Sequence, residues 1–449
     1  MNTVYLFIGC TLLVTVCWLF FEDFLSPTSI ICEVFAISSF FAIFSAQKRN
    51  IDISIETVLF IIAQLVIGII VAMIFKLGHH KKPTINIKDV SILFINKSMY
   101  QMLLIIIVIL TLIYSIFYLR AIMASSGRAF LKMLASFRQE SVTEGVTGIP
   151  TIVQYFSKVI YAFAYFSVYV YIHDSLVIKR AKLKEKTSKI YLISVGLLII
   201  TALLTGARAE LIYFVVFIFT VHALIKNKLY GHNFSIKNLI KFSALGFGAL
   251  FGFYMTSHLI GRGADSFMDS ISGYFGGPII AFDRYFANLN NNHSLFNVWG
   301  KETFYSVVHM LNKLGFIDQN VGPVHLDYVY INGTIFTNVY TAFRFYITDF
   351  GIYGAFFIHS ICIWFYEQFY YKCNCKVRQL GYVNKSILIY GLISYGLFLY
   401  FYSNYFYALI ISLHTLIQII CICLFIKVTK RTSKRGIYHN EVNCKKLQL

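Results

Sequence analysis

Apolar residues run along this chain in long, nearly uninterrupted blocks separated by short polar segments. Blocks of this kind are too uniformly apolar for helices with one wet face. A helix that crosses a bilayer needs roughly 17–25 predominantly apolar residues, and such stretches fall at residues 3–21, 26–46, 55–75, 100–119, 152–172, 189–204, 210–225, 238–258, 351–371, 385–402 and 405–426. The pattern predicts an all-α polytopic membrane protein with about 11 transmembrane helices, the range 10–12 reflecting how residues 385–426 divide. Residues 1–449 form a single transmembrane domain, with an external loop at 120–151, a large external loop at 259–350 and a basic cytoplasmic tail at 427–449. The first span is followed by Glu22 and Asp23 rather than by small residues suited to cleavage, so it reads as a retained helix.

Composition agrees: 58% of residues are hydrophobic and 13% charged, which sets aside a soluble globular domain. The net charge of +19 raises the question of nucleic acid, and the distribution of the charge answers it. Lys and Arg gather in alternate short loops, at Lys76, Lys81, Lys82 and Lys88, at Lys179 to Lys186, at Lys226 and Lys228, at Lys372, Lys376 and Arg378, and in the tail from Lys427. Basic residues on alternate loops mark the cytoplasmic side. The charge is a topology signal, with no nucleic acid as partner. Counting back from a cytoplasmic C-terminus places 120–151, the 205–210 turn, 259–350 and a short turn near Ser403 outside. It also places the N-terminus and the Lys48-Arg49 turn outside, the latter against the rule. None of the nine cysteines falls in a predicted external loop, so no disulfide framework is implied. Cys373-Asn374-Cys375 lacks the further ligands that zinc needs.

Two apolar runs are joined by only six residues, Thr205-Gly-Ala-Arg-Ala-Glu210, so Arg208 and Glu210 sit at the tip of a membrane hairpin. A charge held at the bilayer edge lines a polar cavity, grips an anion or snorkels to the headgroups. The 259–350 stretch is the other place of interest, because connections this long usually bind something. Tyr274, Phe275, Phe282, Tyr285, Phe286, Trp299, Tyr305, Tyr328 and Tyr330 accompany the polar run Asn288–His293. Rings beside amides and carboxylates suit sugars, and an interfacial aromatic belt has the same composition. Gly261-Arg-Gly263 and Gly276-Gly-Pro278 mark turns, so short amphipathic helices are expected on the outer surface around 266–275 and 279–289. Arg344 precedes Asp349-Phe-Gly351 at the mouth of the next span, again a cation and an anion at the membrane edge.

The basic residue types are segregated. Cytoplasmic loops carry mostly Lys, whereas external segments carry Arg120, Arg128, Arg138, Arg208, Arg262, Arg284 and Arg344. Charge alone would make no such distinction; the planar guanidinium fork matches phosphate and carboxylate and stays charged when partly buried. The external face therefore points to a phosphate-bearing substrate resident in the membrane. Acidic residues on that side are Glu210, Asp265, Asp269, Asp283, Glu302, Asp318, Asp327 and Asp349, and His258 at the outer end of its span is a further base candidate.

The Thr205–Glu210 turn between two spans resembles the small-residue-plus-arginine turn of bacterial O-antigen or oligosaccharide repeat-unit polymerases, the Wzy-type family. Ser26-Pro27, Tyr274-Phe-Gly-Gly-Pro278 with Phe282, and Asn338-Val-Tyr-Thr341 leading into Asp349-Phe-Gly-Ile-Tyr-Gly354 are similar to the same family, in the same order. The resemblance implies a GT-C-like, metal-independent lipid-linked glycosyltransferase of the bacterial cytoplasmic (inner) membrane, with no cofactor. Its partners would be undecaprenyl-pyrophosphate-linked glycans, membrane lipids, a chain-length regulator and the repeat-unit flippase; its product would be surface polysaccharide, lipopolysaccharide O-antigen or capsule. On that resemblance Arg208 and Arg344 are pyrophosphate ligands, Arg262 and Arg128 or Arg138 contact acceptor or glycan, and Asp349 or Glu210 acts as base or orients an arginine. Tyr274, Asp283 and Arg284 stand with them as substrate contacts, and His258 as a second catalytic candidate. Close alternatives are an O-antigen ligase-type transferase and a flippase for the same lipid-linked unit. The latter usually shows internal repeats and charges near span midpoints, whereas the charges singled out here sit at external span ends and the long loop is strongly lopsided, which favours external chemistry over alternating access.

Overall fold

The computed structural model describes residues 1–77, 92–127, 129–143, 148–184, 186–205, 208–230, 266–289, 300–317, 326–375 and 382–430. Helices account for most of it: α1 (Asn2–Phe21), α2 (Pro27–Arg49), α3 (Ile55–Leu77), α4 (Lys97–Ala124), α5 (Phe130–Thr143), α6 (Thr151–Arg180), α7 (Ile193–Thr205), α8 (Arg208–Tyr230), α9 (Phe267–Ala287), α10 (Tyr305–Lys313), α11 (Ala342–Cys375), α12 (Lys385–Ile393), α13 (Tyr395–Phe398) and α14 (Leu413–Thr429). Among the described residues seven helices are long and apolar enough to cross a membrane, and shorter apolar helices cover Lys189–Thr205, Lys385–Phe398 and Leu413–Thr429. The chain is a multi-pass, all-α membrane protein, as its hydrophobic blocks predict. The expected span at 238–258 lies outside the described residues.

Local chemistry sets the helix ends. Ser26 accepts from the Ser29 N–H with Pro27 at the first helical position, the combination that opens a helix at least cost. Ser26-Pro27 therefore has a sufficient structural reason. Asn96, Asn384 and Ser412 cap α4, α12 and α14 in the same way.

Contacts sort the loops into two ends. At one, Lys76 bonds the Phe20 carbonyl, Tyr370 donates to Asp23 at 2.9 Å, the Leu93 N–H donates to Asp174 at 3.0 Å and Ile95 pairs with Lys430. At the other, the N-terminal amine meets Asp52, Lys48 meets Asp269 and Asn332 donates to the Arg49 carbonyl at 3.4 Å. The lysine-rich loops share the first end, which the positive-inside rule would make cytoplasmic and the second external. Lys48 and Arg49 lie at this second end, together with the segments expected outside. Their charges are held there by Asp269 and by the Phe336 ring, 4.3 Å from the Arg49 guanidinium carbon, which offsets the cost of breaking the rule.

Two features of the external stretch depart from expectation. Instead of two short helices broken at Gly276-Gly-Pro278, a single helix, α9, runs through that sequence and is buried from Gly276 to Asp283. A Cβ at Gly276 would stand 2.5–2.6 Å from the Ala42 backbone: the glycine lets two helix backbones touch. Ser38 and Ser45 of α2 donate to the carbonyls of Phe275 and Ser272 across the same contact. The stretch also holds a small antiparallel hairpin, β1 (Val329–Ile331) and β2 (Thr334–Thr337). Its Asn332-Gly333 turn has positive φ at both residues, 51° and 76°, the geometry that Asn-Gly favours in two-residue hairpins.

The last two spans are interrupted. After α12 and α13 the chain abandons regular helix over residues 399–404, makes one π turn at Phe406–Ile410 and restarts at α14. Tyr400, Phe401, Asn404, Phe406 and Tyr407 in this segment are buried. Irregular backbone inside an apolar bundle survives only where protein groups satisfy it, and here they do. The Tyr400 carbonyl accepts from Ala342 N–H at 3.2 Å, Tyr407 N–H donates to Asn404 at 3.3 Å, and the Tyr407 hydroxyl donates to the Ile358 carbonyl at 2.8 Å.

Candidate functional site

α11 is broken near its outer end. Gly351 adopts φ 70°, ψ −177°, a backbone that side chains disfavour, and the break leaves Ala342–Phe350 as a separate short helix at the mouth of the bundle. Arg344 and Asp349 both lie on it. The turn at residues 300–304 packs against this helix because Asp349 holds its backbone: one carboxylate oxygen accepts from Thr303 N–H at 2.6 Å and the other from Glu302 N–H at 3.4 Å. The Thr303 hydroxyl donates to the Phe345 carbonyl at 3.1 Å, and the Asn404 amide donates to the Thr303 carbonyl at 2.9 Å. Three stretches distant in sequence thus meet at one place.

At the centre is Arg344, 9% exposed. One terminal nitrogen pairs with Glu302. The guanidinium carbon lies 5.2 Å from the ring centroids of both Tyr285 and Tyr340, within the range where an aromatic face favours a cation. Those tyrosines are fixed by their hydroxyls, Tyr285 to Thr348 at 2.7 Å and Tyr340 to the Asp327 carbonyl at 2.9 Å. Arg344 Nε is buried without a partner among the described residues, and so is the Thr341 hydroxyl one turn away. Burial pushes the Glu302 carboxyl above its ordinary range, and the charge of Asp349 adds to this; Arg344 opposes both. The arrangement is a cation with donors to spare, beside a carboxylate whose proton affinity is raised.

A second polar patch lies at the outer ends of α6 and α8. Glu210 pairs with Lys158 at 3.6 Å, each about one-fifth exposed, and the charge of Glu210 acts on Tyr161, Tyr165, Tyr213 and Tyr395. Tyr213 stacks on Tyr395 at 4.1 Å and meets Tyr405 edge-on at 5.8 Å, so this patch abuts the same irregular 399–412 segment that Asn404 ties to Thr303. The two patches flank one structural element.

The other predicted residues distribute as follows. Arg208 opens α8; its side chain, together with Arg128, Arg262 and His258, lies outside the described residues. Arg138 of α5 acts through its charge on Tyr402, and Tyr274 is 42% exposed. Arg284 is exposed. Asp283 is buried and accepts from the N–H and the hydroxyl of Ser54, each at 2.8 Å, so it holds the start of α3, a scaffold position. Both Asp349 oxygens are likewise engaged by backbone, which makes it an organiser of the turn. Sequence reasoning named Glu302 only among the external acidic candidates and gave no role to Lys158 or Asn404. Lys158 carried a signal, being a lone cation within the apolar run 152–172; Asn404 was hidden in a tyrosine-rich stretch. No family model, curated protein or solved structure matches the chain.

Proposed function

We propose that this protein polymerises lipid-linked oligosaccharide repeat units by glycosyl transfer at the outer face of the membrane. The observation that carries the reading is the half-used fork of Arg344: one nitrogen on Glu302, Nε buried and unpaired, beside the unpaired Thr341 hydroxyl. Buried donors left unpaired at the start of one short helix are suited to an anion with several oxygens, such as the pyrophosphate of a polyprenyl carrier. The mouth of an apolar bundle is where such a headgroup sits when its tail lies in lipid.

In this reading the acceptor sugar hydroxyl attacks the anomeric carbon of the growing glycan. The bond from that carbon to the pyrophosphate oxygen breaks, and polyprenyl pyrophosphate leaves with the electron pair. Arg344 stabilises the charge developing on the leaving group, in a site preorganised by Tyr285 and Tyr340. The arriving phosphate competes with Glu302 for the guanidinium and frees the carboxylate to take the hydroxyl proton. Glu302 is thereby the preferred base, and Asp349 the residue that holds it in place.

Deleting the gene tests the reading. The expected result is lipid-linked single repeat units that reach the outer face without extension. Units retained on the cytoplasmic face would identify a flippase instead, and long polymer left unattached to its final acceptor would identify a ligase.

A further inference from the structure

Lys158 is the only charged residue between Thr151 and Ile172, and it stands two turns into α6, roughly 10 Å from the helix start. An ammonium among apolar residues at that depth is costly and marks a functional position by default. Its carboxylate partner, Glu210, lies in the first turn of α8 at 3.6 Å. That separation is too long for a hydrogen bond, and among the described residues neither side chain makes one elsewhere. An ion pair taken out of water offsets its desolvation only when further hydrogen bonds saturate it. Here N–H donors and carboxylate lone pairs are left over together, and each side chain is about one-fifth exposed, so a ligand can reach both. Rings surround the pair. The ammonium lies 5.8 Å from the Tyr161 ring centroid, and the charge of Glu210 acts on Tyr213 and Tyr395. Those two rings stack at 4.1 Å, and Tyr405 meets Tyr213 edge-on at 5.8 Å; Tyr213 and Tyr405 are half-buried. Tyr405 follows Asn404, which bonds the Thr303 carbonyl beside Glu302, so adjacent residues of one segment touch both polar patches.

We propose that Lys158 and Glu210 form the subsite for the acceptor sugar, an assignment that rests on the transfer reaction given above. The leftover groups choose the ligand. At Arg344 only donors are unused, Nε and the Thr341 hydroxyl, whereas here donors and acceptors are unused side by side. A phosphate would accept from the ammonium and be repelled by the carboxylate. Neighbouring hydroxyls of a sugar satisfy both at once, one accepting from Lys158 and the other donating to Glu210, and the half-buried faces of Tyr213 and Tyr405 suit the apolar side of a sugar ring. Glycosyl transfer brings two glycans together. The donor is held at its pyrophosphate by Arg344; the acceptor reacts through an uncharged hydroxyl far from its own carrier, so it needs a neutral polyol site next to the first. Lys158 and Glu210 bind that sugar and take no part in bond making.

Two probes test this: lipid-linked single units from the deletion strain, and the free oligosaccharide cleaved from them, which lacks pyrophosphate. The double variant Lys158→Met/Glu210→Met removes both charges at similar length, a replacement that ion pairs taken out of water often tolerate without loss of stability. With lipid-linked polymer as donor and purified protein, its acceptor KM should rise about tenfold or more, the loss of a charge-assisted hydrogen bond, while donor KM holds. The free oligosaccharide should raise the thermal midpoint of wild type and of Arg344→Lys, and not that of the double variant. A double variant that keeps acceptor KM and the midpoint shift overturns the subsite, and so does a rise in donor KM alone. A shift given by phosphatidylethanolamine in place of the oligosaccharide would make this a zwitterionic lipid site and overturn it too. Glu210→Gln separates binding from chemistry: acceptor KM should rise by more than kcat falls, and a collapse of kcat at unchanged KM would make Glu210 the base instead. If the deletion strain accumulates no lipid-linked units, the transfer reading falls and the acceptor subsite with it. Units that the double variant polymerises at wild-type acceptor KM remove the subsite alone.

Discussion

The side-chain amide of Asn404 donates to the Thr303 carbonyl at 2.9 Å, and its oxygen accepts from Tyr407 N–H at 3.3 Å. One residue in an irregular segment thus satisfies its own backbone and anchors the turn that carries Glu302. Asn404→Leu keeps the volume and leaves two buried backbone groups unpaired, at a cost of about 1–3 kcal/mol each. The expected outcome is a lower thermal midpoint together with a loss of transfer activity out of proportion to the remaining folded fraction. Activity that simply tracks folded protein would remove Asn404 from the site.

Arg344→Lys keeps the charge and loses the fork. If the guanidinium stabilises the leaving pyrophosphate, the rate of polymerisation drops by about 10²–10³, the usual effect of removing one preorganised donor, while membrane insertion stays normal. Glu302→Gln removes the proposed base and should lower the rate without preventing donor binding. Polymer of full length from either variant would refute the role assigned to that residue.

Much of this architecture was legible in the chain because lipid imposes one rule, satisfy the backbone within the segment, and the apolar blocks obey it. Seven of the eleven expected spans coincide with helices long and apolar enough to cross a membrane, and three more overlap shorter apolar helices. What the pattern misjudged was glycine: Gly276-Gly-Pro278 reads as a turn, yet Gly276 serves close helix contact with Ala42, which depends on a neighbour distant in sequence. The hairpin at Asn332-Gly333 had a local signal that the prevailing helical pattern overshadowed. Within the site, Arg344 and Asp349 announced themselves by charge at a span mouth, whereas Glu302 and Asn404 acquire meaning only when the 300–304 turn and the 399–412 segment fold onto α11.

The raised proton affinity of Glu302 has a consequence for stability. A carboxyl whose folded pKa lies above its unfolded value contributes stability that is fully present below the unfolded pKa and is lost as pH rises through the folded one. Wild type should therefore lose stability relative to Glu302→Gln as pH climbs from the ordinary carboxylate range, about 4.3 for glutamate, through the raised value. Thermal midpoints of the two proteins across pH provide the check. Parallel curves would mean that Glu302 titrates as an ordinary surface carboxylate.

Asp283 and Gly276 separate scaffold from site. Asp283→Ala removes the acceptor for Ser54 at the start of α3 and should cost about 1–2 kcal/mol, as loss of a helix cap does, with donor KM unchanged. Gly276→Val drives a side chain into the Ala42 backbone, and forced overpacking of this kind typically costs about 1–3 kcal/mol, so folded yield falls further than in Gly276→Ala. A raised KM in Asp283→Ala would return that residue to the substrate.

Orientation underlies every one of these assignments, and Lys48 is the position at which to measure it. Its charge lies among the external segments, paired with Asp269, where the positive-inside rule would place few cations, and its side chain is 56% exposed. On intact cells a membrane-impermeant thiol reagent should label Lys48→Cys. Lys184→Cys, exposed in the opposite set of loops, should react only after the membrane is permeabilised. A wild-type control sets the background; the described native cysteines are buried or half-buried. The reverse pattern would turn Arg344 and Glu302 toward the cytoplasm, where a transferase acting on exported lipid-linked units has no substrate, and the proposed function would fall with it.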